Sequence, residues 1–502
     1  MSSIVSERVA PPREKLVTWL ARLYRHRLTT SSGGNLSIMD EDGTLYITPK
    51  GGDKAIVPPA NVAVRKKGQT EFTGILPPSL EWPLHTAAYE ARPKDCRAVL
   101  HAHSMTLVAF SLAHNPSQDE VLSAQDEKKE TAKLDWDRRT PDTRCLLSAW
   151  QSCGVVALAP YCIPGSVELA QGVADAFKTG ANCVIMQNHG VVTIGMTMHE
   201  AYDRFVTLEF LARSITLADT IEKPLKLLPQ SLMANNPSNL PTVIEPYPTS
   251  ASNEFDNTRT ITGHEKEVAA NLCTFIQRAY DQVLITSSSG SFSHRTCNAD
   301  DELSFLINPT GIDRAKLVAS DLCFVSNKFK SGAPHKRSAD RSAKHLYYHP
   351  SYPSNSLHYV LPSRAARLHA TIYETHPQIQ VVIVAVPPYA TVFCITASPF
   401  NSAGIPESYI LLHEVETLPL DALLNDNGLA IAKALDPSKG KTTVLVENYG
   451  LVTVGTSLLQ AFGQMEVCES MCGVHLTAKS RGAVDYLTPA QVCEIDCVFK
   501  SH

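Results

Sequence analysis

The feature that most constrains this chain is internal repetition. MQNHGVVTIG (186–195) returns as VENYGLVTVG (446–455), and YITPKG (46–51) returns as LINPTG (306–311), both displaced by 260 residues. PPSLEWPLHTAAYEARP (77–93) matches LPSRAARLHATIYETHP (361–377), and SSGGNLS (31–37) matches SSSGSFS (287–293). The pairs occur in the same order, the mark of a tandem duplication. At 502 residues the chain is also longer than one hydrophobic core usually organises. Two modules are therefore expected, at 1–227 and 261–502. The stretch 228–260, rich in Pro, Asn and Ser, has the composition of an extended linker. Polar segments at 114–143 and 328–350 read as exposed insertions, one in each module.

Helical and strand periods intermix within each module. REKLVTWLARLYRH (13–26) places Leu16, Trp19, Leu20 and Leu23 on one helical face. LEWPLHTAAYEA (80–91) reads as a helix with Pro83 in its first turn, where proline is tolerated, and 199–218 reads as a long helix. TLYIT, AVLHAH and CVIMQN read as strands. The expected architecture is a sheet layered with helices.

Composition narrows the partners. A formal net charge of -5 gives no electrostatic case for nucleic acid or an anionic membrane. The longest apolar run, 381–397, contains Pro387 and Pro388 and is too short to span a bilayer. The amino terminus lacks the apolar core of a secretory signal, and thirteen scattered cysteines suggest reduced thiols. A cytoplasmic protein is expected.

The chemistry concentrates in VLHAHS (99–104). Residues two apart in a strand share a face, so His101 and His103 would stand side by side, within reach of one cation. His189 sits where an apolar run meets a glycine turn, and Glu81 opens the helix upstream. Three neutral imidazoles with an open position form the ligand set of catalytic zinc and related divalent ions. The alternative is a pair of hydrogen-bonded core histidines. Comparing the repeats favours the metal. Aligned by sequence, 101 and 103 become Ala385 and Pro387, His189 becomes Tyr449, Glu81 becomes Ala365 and Asn35 becomes Ser291. Leu84/Leu368, His85/His369, Tyr89/Tyr373 and Gly190/Gly450 persist as framework. Imidazoles and carboxylate disappear as a set, which core packing alone would not require.

The ordered motifs SGGNLS, ITPKGG, PSLEWPLHTAAYEARP, VLHAHS and NHGVVTIG, followed by a long Glu-bearing helix, resemble the class II aldolase/adducin family over residues 13–218. The second module resembles it more weakly over 262–480. The resemblance implies two tandem three-layer α/β/α modules, each with a central mixed, mainly antiparallel sheet. It implies His101, His103 and His189 as ligands of a divalent metal, zinc before others, and Glu81 as the acid/base carboxylate. Asn35, Thr48, Gly51 and Ser79 fall on positions that hold substrate phosphate, with Lys50 a neighbouring charge or a solvated loop residue. The implied function is a lyase cleaving a small phosphorylated ketose through a metal-stabilised enediolate, with Glu81 raised in pKa by partial burial. A sugar-phosphate 4-epimerase or dehydratase would use the same ligands, and an adducin-like scaffold would need none. Two departures stand out: Leu80 replaces a second serine donor after Ser79, and 114–143 holds no tyrosine to act as proton donor. The second module reads as a pseudo-enzyme in which NPTG (308–311) and Ser363 could still hold an anion. A homodimer of two-domain chains would imitate a four-module ring, with Tyr389 or Tyr449 completing the first module's site.

Overall fold

The computed structural model describes residues 10–113, 137–233, 262–296, 303–327, 347–350 and 361–499. The chain divides into two compact units after Ile215. Most of the expected linker, from 234 onward, lies outside the described residues, as do 114–136 and 328–346 of the two polar insertions.

In the first unit α1 (Pro12–Arg25) starts on a proline, whose missing N–H costs nothing in a first turn. Strands β1 (Asn35–Met39), β2 (Leu45–Ile47) and β3 (Ala63–Arg65) precede α2 (Trp82–Ala91), β4 (Ala98–Ala102) and α3 (Met105–Ser111). Then follow α4 (Leu147–Cys153), β5 (Val156–Ala159), α5 (Val167–Lys178), β6 (Cys183–Met186), β7 (Gly190–Gly195) and α6 (Met198–Ala218). The sheet order is β3-β2-β1-β4-β7-β6-β5. Every pairing is antiparallel except β5 with β6. Leu16, Trp19 and Leu20 of α1 join Tyr202 and Phe205 of α6 over Leu36, Leu100 and Val191. On the opposite face Leu84 and Tyr89 of α2 join Val173 and Phe177 of α5 over Val99, Val184 and Val192. Side chains alternate across the strands, so both faces are apolar and both are covered, giving the expected three layers.

The second unit repeats the plan. It has α7 (Gly263–Asp281), β8 (Ser291–Arg295), β9 (Ser304–Ile307), β10 (Cys323–Ser326), β11 (Tyr347–Pro350), α8 (Ala366–Thr375), β12 (Val381–Ala385) and α9 (Pro388–Thr396). After β13 (Glu416–Leu418), β14 (Thr443–Val446) and β15 (Gly450–Gly455) comes α10 (Leu458–Lys479). The sheet order, β11-β10-β9-β8-β12-β15-β14-β13, adds one strand. That strand falls at the end of the polar segment 328–350, the rest of which lies outside the described residues. The segment's last four residues pair antiparallel with β10 at the sheet edge, where the backbone of a proline is tolerated.

The repeat alignment needs a correction. Ala98 pairs with Gly195 and Val381 with Gly455, so β12 matches β4 one residue earlier than the sequence comparison suggests. His101 therefore corresponds to Val384 and His103 to Val386. The cause is the connection from helix to strand, 92–97 in the first copy and the shorter 376–380 in the second. Neither register supplies a ligand.

Every cysteine among the described residues is free. No helix among them is long and apolar enough to cross a membrane.

Candidate metal centre

Three elements deliver the imidazoles to one place. His101 is fully buried in β4, on the same face as Val99, beneath α2. His103 follows just beyond the strand's end. His189 stands at the tip of the β6–β7 hairpin, which Asn188 turns with a left-handed backbone (φ 57°), a conformation asparagine tolerates well. One ligand nitrogen from each of His101, His103 and His189 lies within 4.8 Å of the others. The ring centroids are 4.7 Å apart for His101–His103, 5.0 Å for His101–His189 and 5.3 Å for His103–His189.

The carboxylate arrives from α2. Glu81 occupies that helix's N-cap position, but its side chain caps nothing there and reaches the imidazoles instead. Its Oε2 lies 3.2 Å from His101 Nε2 and its Oε1 3.1 Å from His189 Nε2. Asn35 opposes His101 across the β1–β4 ladder and donates from Nδ2 to Glu81 Oε2 at 2.7 Å. The expectation of a raised Glu81 pKa is overturned. Burial does push it upward, but His101, His189 and Asn35 together hold the carboxyl well below the usual carboxylate range. The α2 N-terminus favours the anion too. Burial likewise disfavours charge on His101, yet the Glu81 carboxylate outweighs it and raises that ring's pKa. Burial, reinforced by His101 and His189, brings His103 down to about 3.

This donor set fits a divalent cation. His101 Nδ1 faces the Val191 carbonyl at 3.0 Å, so Nδ1 holds a proton and Nε2 is the nitrogen that would ligate an ion. That Nε2 faces His103 Nε2 at 2.9 Å, close enough for His103 to donate to it or for the two lone pairs to converge on one cation. His189 Nδ1 is buried without a hydrogen-bond partner among the described residues. Gly190 leaves the room: a Cβ there would sit 2.5 Å from His103 Cδ2 and 3.1 Å from His101 Cε1.

The four positions matched to phosphate binding divide. Backbone bonds zip their loops together, Thr48 N to the Leu36 carbonyl and Ser79 N to the Thr48 carbonyl. Asn35 is occupied at both ends of its amide, by Glu81 and His85. Thr48 is fully buried and its hydroxyl accepts from Leu36 N, as Asn308 accepts from Phe292 N in the second module. Ser79, mostly buried, accepts from Glu81 N. Gly51 lies in an exposed turn with Gly52, both with positive φ, beside exposed Lys50.

Sequence reasoning passed over Lys54. It is buried, and among the described residues its ammonium has one long hydrogen bond, 3.5 Å to the Pro49 carbonyl. Burial lowers its pKa, with partial compensation from the negative charge of Glu81. The signal was present in the repeat, because Lys54 aligns with Arg314. That guanidinium is spent on carbonyls of Ser288, Ser289, Gly290, Pro309 and Ile312. Of the second module's tyrosines, Tyr389 packs its ring against Gly473 of its own unit.

The family model described as Class II Aldolase and Adducin N-terminal domain matches the chain twice, over residues 14–216 and 270–476. An L-fuculose phosphate aldolase of Methanococcus maripaludis is 30% identical over 192 residues, which cover 38% of this chain and 88% of that protein. A 3-oxo-tetronate 4-phosphate decarboxylase of Escherichia coli is 26% identical over 216 residues, 43% of this chain and 90% of that protein. A solved L-fuculose 1-phosphate aldolase is 24% identical, covers 44% of this chain and 92% of its own, and superposes with a TM-score of 0.37.

Proposed function

Because the chain belongs to the class II aldolase and adducin family, we propose that its first module is a divalent-metal-dependent lyase that breaks a C–C bond in a small phosphorylated ketose. The observation that carries this reading is the meeting of His101, His103 and His189 beside Glu81. The preferred ion is zinc, since three neutral imidazoles and an open position suit it. Once bound, such an ion supplies Lewis acidity to a carbonyl and its adjacent hydroxyl, stabilising charge as it develops on oxygen.

The protein's own groups supply the rest. In this reading Glu81, held as an anion, accepts the hydroxyl proton of the carbon beyond the scissile bond. That carbon becomes an aldehyde as the C–C bond breaks and its electron pair moves toward the carbonyl. The carboxyl then returns the proton to the carbon that has lost its neighbour. Ser79 and the backbone N–H groups of the Gly51–Gly52 turn offer donors to a phosphate, and buried Lys54 offers charge. Asn35 and Thr48 serve the site by orientation rather than by touching phosphate.

Similarity to a 3-oxo-tetronate 4-phosphate decarboxylase supports a second reaction on the same site. There the broken bond leads to a carboxylate carbon, carbon dioxide leaves, and the electron pair left on carbon takes a proton that must come from solvent, relayed by Glu81. A panel containing L-fuculose 1-phosphate and 3-oxo-tetronate 4-phosphate, scored for aldehyde and for carbon dioxide, separates the two. Metal analysis should find about one divalent ion per chain, lost in His101→Ala. Absence of metal together with absence of turnover would overturn the enzyme reading in favour of a scaffold.

A further inference from the structure

A file of hydrogen bonds runs from the core of the first module to Glu81. Tyr89 Oη lies 2.8 Å from Ser37 Oγ, which lies 2.6 Å from His85 Nδ1. His85 Nε2 lies 2.5 Å from Asn35 Oδ1, and Asn35 Nδ2 reaches Glu81 Oε2 at 2.7 Å. Donor and acceptor chemistry sets the direction. Asn35 donates from its amide nitrogen to Glu81, which leaves its oxygen, an acceptor only, facing His85. His85 Nε2 must then carry the ring proton. The ring is fully buried and neutral, so Nδ1 accepts from the Ser37 hydroxyl, which accepts in turn from Tyr89. Every donor in the file points toward Glu81.

The second module keeps the inner half and ends there. Ser293 Oγ lies 2.6 Å from His369 Nδ1 and 2.7 Å from Tyr373 Oη. Ser291 stands in place of Asn35 and Ala365 in place of Glu81, and both His369 Nε2 and Ser291 Oγ are buried without a hydrogen-bond partner among the described residues. Tyr373 Oη also reaches the Gln380 carbonyl, which can only accept, at 3.2 Å. With the tyrosine proton used there, Ser293 donates to Tyr373 and His369 donates from Nδ1 to Ser293. The bare lone pair is left at the orphaned Nε2, which is cheaper to bury than an unpaired N–H. The same Ser–His–Tyr trio therefore runs in opposite directions in the two copies.

We propose that His85 is a positioning residue for Glu81: its Nε2–H locks the Asn35 amide in the orientation that presents N–H to the carboxylate, and the two copies hold this shared histidine in opposite tautomers. A purely structural histidine would need only the serine and tyrosine that both copies retain. The positioning role rests on Glu81 acting at the metal centre, as proposed above; the tautomer contrast does not.

The test is therefore in two parts. Ring-nitrogen NMR of the full chain with 15N-histidine, assigned with His85→Gln and His369→Gln, should find His85 protonated at Nε2 and His369 at Nδ1. The same tautomer in both would overturn the proposal whatever the protein catalyses. Asn35→Ser, which copies a pair the second module already tolerates, should lower kcat about 10- to 100-fold, the size of a lost outer-shell partner, with KM within a few-fold. Zinc affinity by chelator competition should stay within a few-fold, because all three imidazoles remain. Adding His85→Gln to Asn35→Ser should cost nothing further, since both act through one file. Multiplicative losses, or a fully active His85→Phe that remains folded, would overturn the positioning role. A wild-type chain with no lyase turnover would instead refute the functional reading and leave the tautomer result standing.

Discussion

The two modules share a sheet order and a framework, and differ in what they do with buried polar groups. In the first, Glu81, Asn35 and Lys54 are held in the interior, where Asn35 donates to Glu81 and the Lys54 ammonium lies 3.5 Å from the Pro49 carbonyl. In the second, Ala365 and Ser291 replace two of them, and Arg314 turns its charge onto backbone carbonyls. The long helices diverge in the same way. Glu209 of α6 pairs with Arg213 at 2.8 Å, but the matching position in α10 is Gly473, and the Tyr389 ring lies against it. Glu469, without that arginine, accepts from Tyr389 N at 3.0 Å and Ala390 N at 2.8 Å in the first turn of α9. Where the three imidazoles are absent, buried polar groups serve stability instead.

The largest effect should come from the ligands. His101→Ala should abolish stoichiometric metal binding and lower turnover by more than about a hundredfold, beyond an outer-shell loss. Val384→Ala, at the matching position, should leave both unchanged and only lower thermal stability. Metal content and turnover of the two variants break the comparison if they respond alike.

The cations come next. Arg314→Leu strands several buried carbonyls and should cost about 3 kcal/mol in denaturant unfolding. Lys54→Met removes an ammonium with one long hydrogen bond among the described residues, so stability should be unchanged or higher. KM for a phosphorylated substrate should rise about tenfold, the equivalent of 1.4 kcal/mol.

Glu469 offers a pH test. Burial raises its pKa from 4.5 to about 7, against the lowering effect of the Tyr389 and Ala390 amides. A group raised on folding binds its proton more tightly in the native state. Its contribution is therefore complete below about pH 4.5 and is lost as pH rises through about 7, by roughly 3 kcal/mol in total. Calorimetry between these values should show the second module losing stability, and Glu469→Gln should flatten the profile. A wild-type profile with no such slope would mean that the carboxylate is stabilised as an anion by the α9 N-terminus.

The smallest effect is a repair. Ser291→Asn should raise the second module's melting temperature, because the introduced amide can donate to His369 Nε2, a gain of about 1 kcal/mol. An unchanged or lower value would show that the space left by Ala365 has closed.

Much of this was legible in the chain. The duplication, the helix and strand periods and the clustering of chemistry in one copy follow from local pattern, because side-chain periodicity and turn chemistry are properties of neighbouring residues. His101 and His103 could be paired from their spacing alone. Their convergence with His189 and Glu81 could not, since it depends on β4 pairing with both β1 and β7 while α2 crosses above. The register of β12 against β4 turned on one residue in a connection, which motif matching passes over and the hydrogen-bond ladder does not. Sequence assigned Asn35 and Thr48 to a ligand and His85 to the framework. Only the packed interior, where each donor must find an acceptor, decided that Asn35 faces Glu81, that Thr48 fastens a loop, and that His85 reaches the site through Asn35.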